Sequence, residues 1–216
     1  PTLPGVQAFE QAHAGLVELH AGLQWLADEQ LGEAQALGRK LGMSIGLYGD
    51  YAVGVNPSGS ETWSDQALYR KGAGVGAPPD ALALKGQDWG ILPQDPNVLM
   101  AEQYRPFRNL VAANMRHFGA LRLDHVMALF RQWWVPVGLG ATDGGYVHYP
   151  LDDLMSVLAL ESERHGCLVV GEDLGTVPPE VSDAFDRWDM LGMYEEQFHL
   201  DLDPLPHIPA RVVAGI

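Results

Sequence analysis

Two apolar runs of strand length, each ending in an acid, constrain this chain more than any other feature. Ala120-Leu121-Arg122-Leu123 leads into Asp124-His125, and Cys167-Leu168-Val169-Val170 leads through Gly171 into Glu172-Asp173. Each run follows a segment of helical apolar spacing closed by a glycine, Gly119 before the first and Gly166 before the second. Strands alternating with helices in this way build a parallel sheet. When such a sheet closes into a barrel, its site is made at the C-terminal ends of the strands, and both acids fall there.

The rest of the chain keeps the alternation. Leu16, Leu19, Leu23, Leu26, Leu37 and Leu41 recur at helical spacing over 13–41, with Gly32 and Gly38 as weak points and Gly42 as a stop. Residues 1–12 carry no clear pattern. A strand is expected over 43–48, leading into Gly49-Asp50. Helices are expected from Met100 or Pro106 to Phe118 and over 151–165, where Leu151, Leu154, Met155, Leu158 and Leu160 lie near one face. Another starts at Val177-Pro178-Pro179-Glu180, where proline suits a first turn. Met190 to Phe198 reads as a further strand. Residues 54–98 and 131–150 read as two long irregular regions, the first rich in Gly, Pro and Asn, the second in Trp, Tyr and Gly. Long loops in compact domains are generally functional or flexible. The fold class is α/β, and the element order suits a barrel or an open doubly wound sheet. No G-x-G-x-x-G follows a strand, so a dinucleotide fold has no support.

At 216 residues the chain is near the short end for a complete eight-fold barrel. It begins at Pro1 without an initiator Met and stops in the apolar stretch Arg211-Val212-Val213-Ala214-Gly215-Ile216. The expectation is one catalytic-barrel fragment, 1–216, truncated at both ends. Net charge is 13 − 28 = −15, which argues against nucleic acid and anionic membrane as partners. A single cysteine, Cys167, excludes an internal disulfide framework and fits a reducing compartment. Lying in the run before Glu172, it reads as a core thiol. No apolar run has a membrane-spanning length.

The motifs each admit two readings. Arg122 stands two positions before Asp124 and shares its side of a strand. It serves either a structural ion pair or a carboxylate kept ionised for attack. Glu172 and Asp173 face opposite ways, so one can enter a site while the other caps the next turn. A general acid at Glu172 needs a raised pKa; otherwise the segment is an acidic strand-to-helix turn. Paired carboxylates on two strand ends suit cleavage or transfer at a glycosidic bond. Ala77-Pro78-Pro79-Asp80 and Gly86-Gln87-Asp88-Trp89-Gly90 bring an acid and a tryptophan into one loop. Trp89 either stacks on a sugar or closes the core edge. Trp133-Trp134, Tyr146, His148 and Tyr149 pose the same choice. No H-E-x-x-H, C-x-x-C, P-loop or G-x-S-x-G occurs, leaving metal, phosphate and serine-nucleophile chemistry without support.

Taken together, Ala120 to Val126, Gly171-Glu172-Asp173-Leu174-Gly175-Thr176-Val177-Pro178, and the two loop segments resemble the 4-alpha-glucanotransferase (amylomaltase) family. This family lies within the alpha-amylase superfamily, and the resemblance is to its bacterial maltodextrin-utilising type. It runs in consistent order from about Trp25 to Pro178. It implies a partial (β/α)₈ TIM barrel and a cytoplasmic glycosyltransferase. The implied reaction moves α-1,4-glucan segments from a maltodextrin donor to the 4-hydroxyl of an acceptor by retaining double displacement. By the same resemblance Asp124 is the nucleophile and Glu172 the general acid/base. Arg122, His125, Asp80, Trp89 and Asp50 are substrate-binding, and no cofactor or metal is needed. The implied partners are maltooligosaccharides and α-1,4-glucans. Exposed edges of a truncated barrel invite self-association. A hydrolase of the same superfamily and a non-catalytic glycan-binding fragment are the alternatives. Ala52 stands where many relatives have Pro, and Asn56-Pro57-Ser58-Gly59-Ser60 replaces an acidic pattern; both read as subtype differences. The family's third carboxylate, in a later His-Asp pair, has no counterpart in the 216 − 172 = 44 residues after Glu172. Little turnover is therefore expected of the isolated chain.

Overall fold

The computed structural model describes residues 3–81, 83–195 and 212–215. In chain order it begins with helices α1 (Pro4–Ala12) and α2 (Ala14–Lys40), then strand β1 (Tyr48–Tyr51) and the short helix α3 (Ser60–Ser64). Strands β2 (Ala73–Ala77) and β3 (Gln87–Ile91) precede helices α4 (Pro96–Ala101) and α5 (Arg105–Met115). Strands β4 (Ala120–Leu123), β5 (Arg131–Pro136) and β6 (Gly145–His148) come next, followed by helix α6 (Leu151–His165) and strand β7 (Leu168–Gly171). Helix α7 (Pro179–Trp188) and strands β8 (Gly192–Glu195) and β9 (Val212–Gly215) complete it.

Strands β1, β4 and β7 form a parallel sheet in that order. The Val170–Leu191 bridge and the Gly171 N–H to Leu191 carbonyl bond carry it toward β8, and β8 pairs in parallel with β9. Each parallel strand is thus beside the next one in the chain, which is barrel order with helical crossovers. The expected α/β architecture with a parallel sheet is present. Side-chain parity sorts the sheet into two faces. Leu121 and Leu123 join the core with Val111 and Met115 of α5 and Leu154, Met155 and Leu158 of α6. Leu121, Val111 and Met115 are fully buried, each burial contributing about 1.5–3 kcal/mol. The opposite face carries Asp50 and Arg122, cross-strand partners in the register.

The segments 54–98 and 131–150, expected to be irregular, instead supply a second sheet. Its strands run β3-β2-β5-β6 and are all antiparallel. The expectation failed because β2 reads Ala-Gly-Val-Gly-Ala, which offers no apolar alternation. Its second glycine is structural: a Cβ on Gly76 would overlap the Gln87 carbonyl of β3. Helix α1 was also unforeseen over 1–12, where only Pro4 in the first turn signals a start. The strand expected over 43–48 begins only at Tyr48. Gly42 and Gly46 take φ of +90° and +79° and turn the chain there, leaving Met43 and Ile45 exposed. Helix α6 matches its expected bounds and ends at Gly166 with φ +57°, the left-handed cap glycine favours. The end of the expected strand 190–198 and most of the tail lie outside the described residues.

The apolar stripe that foretold α2 is not core. Leu16, Leu19, Leu23, Leu26 and Leu37 are all exposed, and Gly38 is the buried residue of that helix. Polar ties hold α2 to the body instead. Gln35 Nε2 donates to the Ile45 carbonyl at 3.0 Å and its Oε1 accepts from Leu47 N–H at 2.7 Å. Asp28 pairs with Arg116 and His117. No helix among the described residues is long and apolar enough to cross a membrane.

Candidate active site

The site assembles where β1, β4 and β7 end. Leu123 pairs with Gly171, so parity carries Asp124 and Glu172 onto the face that Asp50 and Arg122 already share. Arg122 bridges two strands. Its Nη1 donates to Asp50 Oδ1 at 2.7 Å and its Nη2 to Asp124 Oδ1 at 2.9 Å. Burial works against the guanidinium's charge, but the hydrogen bonds and charges of Asp50 and Asp124 outweigh it and raise its pKa.

Glu172 sits in a different environment. Its N–H donates to the Leu123 carbonyl at 2.9 Å, its carbonyl accepts from Val126 N–H at 3.0 Å, and its Oε2 accepts from His125 N–H at 2.7 Å. Burial pushes the Glu172 carboxyl upward, and the Asp124 and Asp173 charges add to this against His125 N–H and Arg122. A carboxylate tied to arginine next to a carboxyl raised above its ordinary pKa is the division of labour a nucleophile and a general acid require. Asp173 takes the capping alternative: its Oδ1 accepts from Met193 N–H at 2.8 Å and anchors the turn to β8.

Trp89 reaches this group through His125. The two rings meet edge to face with centroids 5.3 Å apart, and the indole N–H donates to Gln87 Oε1 at 3.0 Å. Burial holds the His125 imidazole below its ordinary pKa, opposed by the Asp124 charge. Asp50, Arg122, Asp124, His125, Glu172 and Trp89 therefore form one continuous chain of contacts. Asp80 is spent differently, on its own turn: its Oδ1 accepts from Ala83 N–H at 2.6 Å, and its N–H donates to the Ala83 carbonyl. Cys167 is 1% exposed and its thiol is pushed up to about 11 by burial, which suits a core residue. Among the described residues no group of three or more His, Cys, Asp or Glu is arranged to hold a metal.

Beside Asp50, Asp124 and His125 lies a cavity of about 370 Å³. Asn56, Glu61, Tyr69, Gln94, Gln132 and Tyr149 are among the residues that line it. The Tyr149 hydroxyl lies 2.5 Å from the Gln94 carbonyl oxygen and 2.9 Å from Gln132 Oε1. Of these, Tyr149 was singled out among the loop aromatics and Asn56 in the 56–60 segment, whereas sequence reasoning passed over Glu61, Tyr69, Gln94 and Gln132, since isolated residues of these types carry no spacing signal. It also passed over Asp95, which pairs with Arg70 and caps α4 through Asn97 N–H at 2.7 Å. Asp95-Pro96 was legible as an N-cap followed by proline.

The family model described as 4-alpha-glucanotransferase matches residues 2–214. The 4-alpha-glucanotransferase of Haemophilus influenzae is 50% identical over 182 residues, covering 84% of this chain and 25% of that protein. That of Mycobacterium tuberculosis is 45% identical over 212 residues, covering 95% of this chain and 29% of that protein. The crystal structure of amylomaltase from Corynebacterium glutamicum superposes with a TM-score of 0.87 at 38% identity, over 93% of this chain and 29% of that one. Amylomaltase from Streptococcus agalactiae, solved in complex with acarbose, shares the fold with a TM-score of 0.81 at 19% identity, over 90% of this chain and 40% of that one. The chain thus spans well under half the length of these relatives. A nearly end-to-end family match, joined to identities of 45–50% with two curated members, shows that this chain belongs to the 4-alpha-glucanotransferase family.

Proposed function

We propose that the protein built around this segment transfers α-1,4-glucan segments between maltooligosaccharides by retaining double displacement. Asp124 attacks the anomeric carbon and forms a covalent glycosyl intermediate while Glu172 protonates the departing glycosidic oxygen. Glu172 then takes the proton of the acceptor's 4-hydroxyl as that oxygen displaces Asp124. The observation that carries this reading is the pairing of the two acids at adjacent parallel strand ends, one held by Arg122 and the other half-buried. Arg122, Asp50 and His125 orient the donor sugar and the nucleophile. Trp89, on β3, offers an apolar ring to a glucose unit, and Asp80 stands on the acceptor side in the connection from β2 to β3. The regions 54–98 and 131–150 form the substrate side of one catalytic segment, 1–216. The acarbose complex of the Streptococcus agalactiae relative supports a maltooligosaccharide partner. The acidic charge and single cysteine support a cytoplasmic protein acting on a neutral substrate.

The test is product analysis from maltotriose, using the chain extended to the length of its relatives. Longer maltodextrins together with glucose are expected. Glucose and maltose without longer products would replace transfer by hydrolysis, and no turnover would leave glycan binding alone. A structure with the Asp124 and Glu172 carboxyls much farther apart than about 5–5.5 Å would overturn the retaining assignment.

A further inference from the structure

The β4–β7 ladder stops one rung early, at the point where the acids stand. Leu168 N–H donates to the Gly119 carbonyl and Glu172 N–H to the Leu123 carbonyl. In a parallel ladder of that phase, the next rung is His125 N–H to the Glu172 carbonyl. Instead Val126 N–H makes that bond at 3.0 Å, one residue late. His125 is the inserted residue. It takes φ +48° and ψ +63°, a left-handed turn uncommon for non-glycine residues. The N–H it withdraws from the ladder points to Glu172 Oε2 at 2.7 Å. The bulge thus converts a sheet donor into a side-chain clamp, as bulges beside active sites re-aim groups.

We propose that His125 is a positioning residue for the acid/base. Its left-handed backbone, separately from its ring, takes a ladder N–H and hands it to the Glu172 carboxylate. This rests on the proposed reaction only for Glu172's role; the clamp itself is a property of the folded chain. The bond holds the carboxyl oriented while its proton comes and goes. It also opposes burial, because an N–H donor favours the ionised form. The other groups facing Glu172 are Arg122, which acts the same way, and Asp124 and Asp173, which oppose it. The imidazole of His125 meets Trp89 instead, so ring and backbone of one residue serve different neighbours.

The experiment is an NMR titration of this chain, following the Glu172 side-chain carboxyl carbon and the residue-125 amide proton together. In the parent, the amide proton is expected to move with the Glu172 midpoint. His125→Gly accepts the left-handed turn and removes the ring, and His125→Asn tolerates it. Both should keep the amide response and a nearly unchanged midpoint. His125→Val disfavours the turn. Where its amide response disappears, the Glu172 midpoint should rise by about one pH unit. If Val retains the response, the midpoint should stay with the parent's. The proposal is overturned if the parent's amide ignores Glu172, or if the midpoint is unmoved in a variant that has lost the response. Because the readout is protonation and not turnover, a missing transfer activity would count against the proposed reaction and leave this result standing.

Discussion

The parallel sheet β1-β4-β7 and the antiparallel sheet β3-β2-β5-β6 border one cavity but are held by different forces. The parallel sheet β1-β4-β7 is positioned by burial: Leu121 is fully buried and Leu123 is 3% exposed, against helices α5 and α6. Its acids then follow from parity, since burying one set of residues presents the other set on the opposite face. The antiparallel sheet β3-β2-β5-β6 has less to bury. Val75 and Val135 are its fully buried side chains, and β2 is otherwise alanine and glycine. Polar ties fix what surrounds it: Tyr149 with Gln94 and Gln132, and Asp95 with Arg70 and the α4 backbone. The comparison teaches that the paired acids stand on the sheet with the stronger packing constraint. The more weakly packed sheet supplies walls and, on β3, Trp89.

The comparison can be broken most forcefully at the parallel strand ends. Asp124→Asn, in the chain extended to its relatives' length, should lower transfer by several orders of magnitude, the scale of losing a nucleophile. With an activated donor, Glu172→Gln should accumulate a glycosyl adduct on Asp124, detectable by mass spectrometry of the peptide. An adduct elsewhere would reverse the roles. Next in size is the packing that positions these acids. Leu121→Ala should cost about 2–5 kcal/mol in urea unfolding; a loss below about 1 kcal/mol would remove the claim that burial places the strand.

The polar ties of the other region should weigh less. Asp95→Ala removes a helix cap and the Arg70 pair and should cost about 2 kcal/mol at neutral pH. Burial alone would raise the Asp95 pKa, but the Asn97 N–H, Arg70 and Val98 N–H outweigh it, so the group lies below its ordinary value. Its contribution is present above the unfolded pKa near 3.8 and is lost as pH falls through the folded value. Parent and variant should therefore converge in acid. The smallest effect has the opposite sign. Glu172 is raised by burial, so its contribution is complete below its unfolded pKa and is lost as pH rises through the folded one. Glu172→Gln should match the parent near pH 4 and be slightly more stable at pH 7. Unfolding midpoints that move in parallel for the two variants would erase the contrast between the regions.

Much of the parallel half is legible in the sequence. The runs at 120–123 and 167–170, their glycine stops and the acids beyond them carry local signals of burial, chain reversal and strand ending, all set by near neighbours in the chain. Helix α6 was readable to its last residue for the same reason. The resemblance motifs named Asp50, Arg122, Asp124, His125, Glu172 and Trp89, but no spacing rule puts Trp89 against His125. That contact needs β3 folded back on β2, and β2 lacks the side chains that advertise a strand. Nor did periodicity reveal that the leucine stripe of α2 lies exposed in the described structure. Helical spacing reports which residues share a face, not whether anything covers it. The clamp at Glu172 is the clearest tertiary decision. A single residue taking a left-handed turn shifts one hydrogen bond between strands joined through α6, and only the pairing of those strands gives that turn a partner.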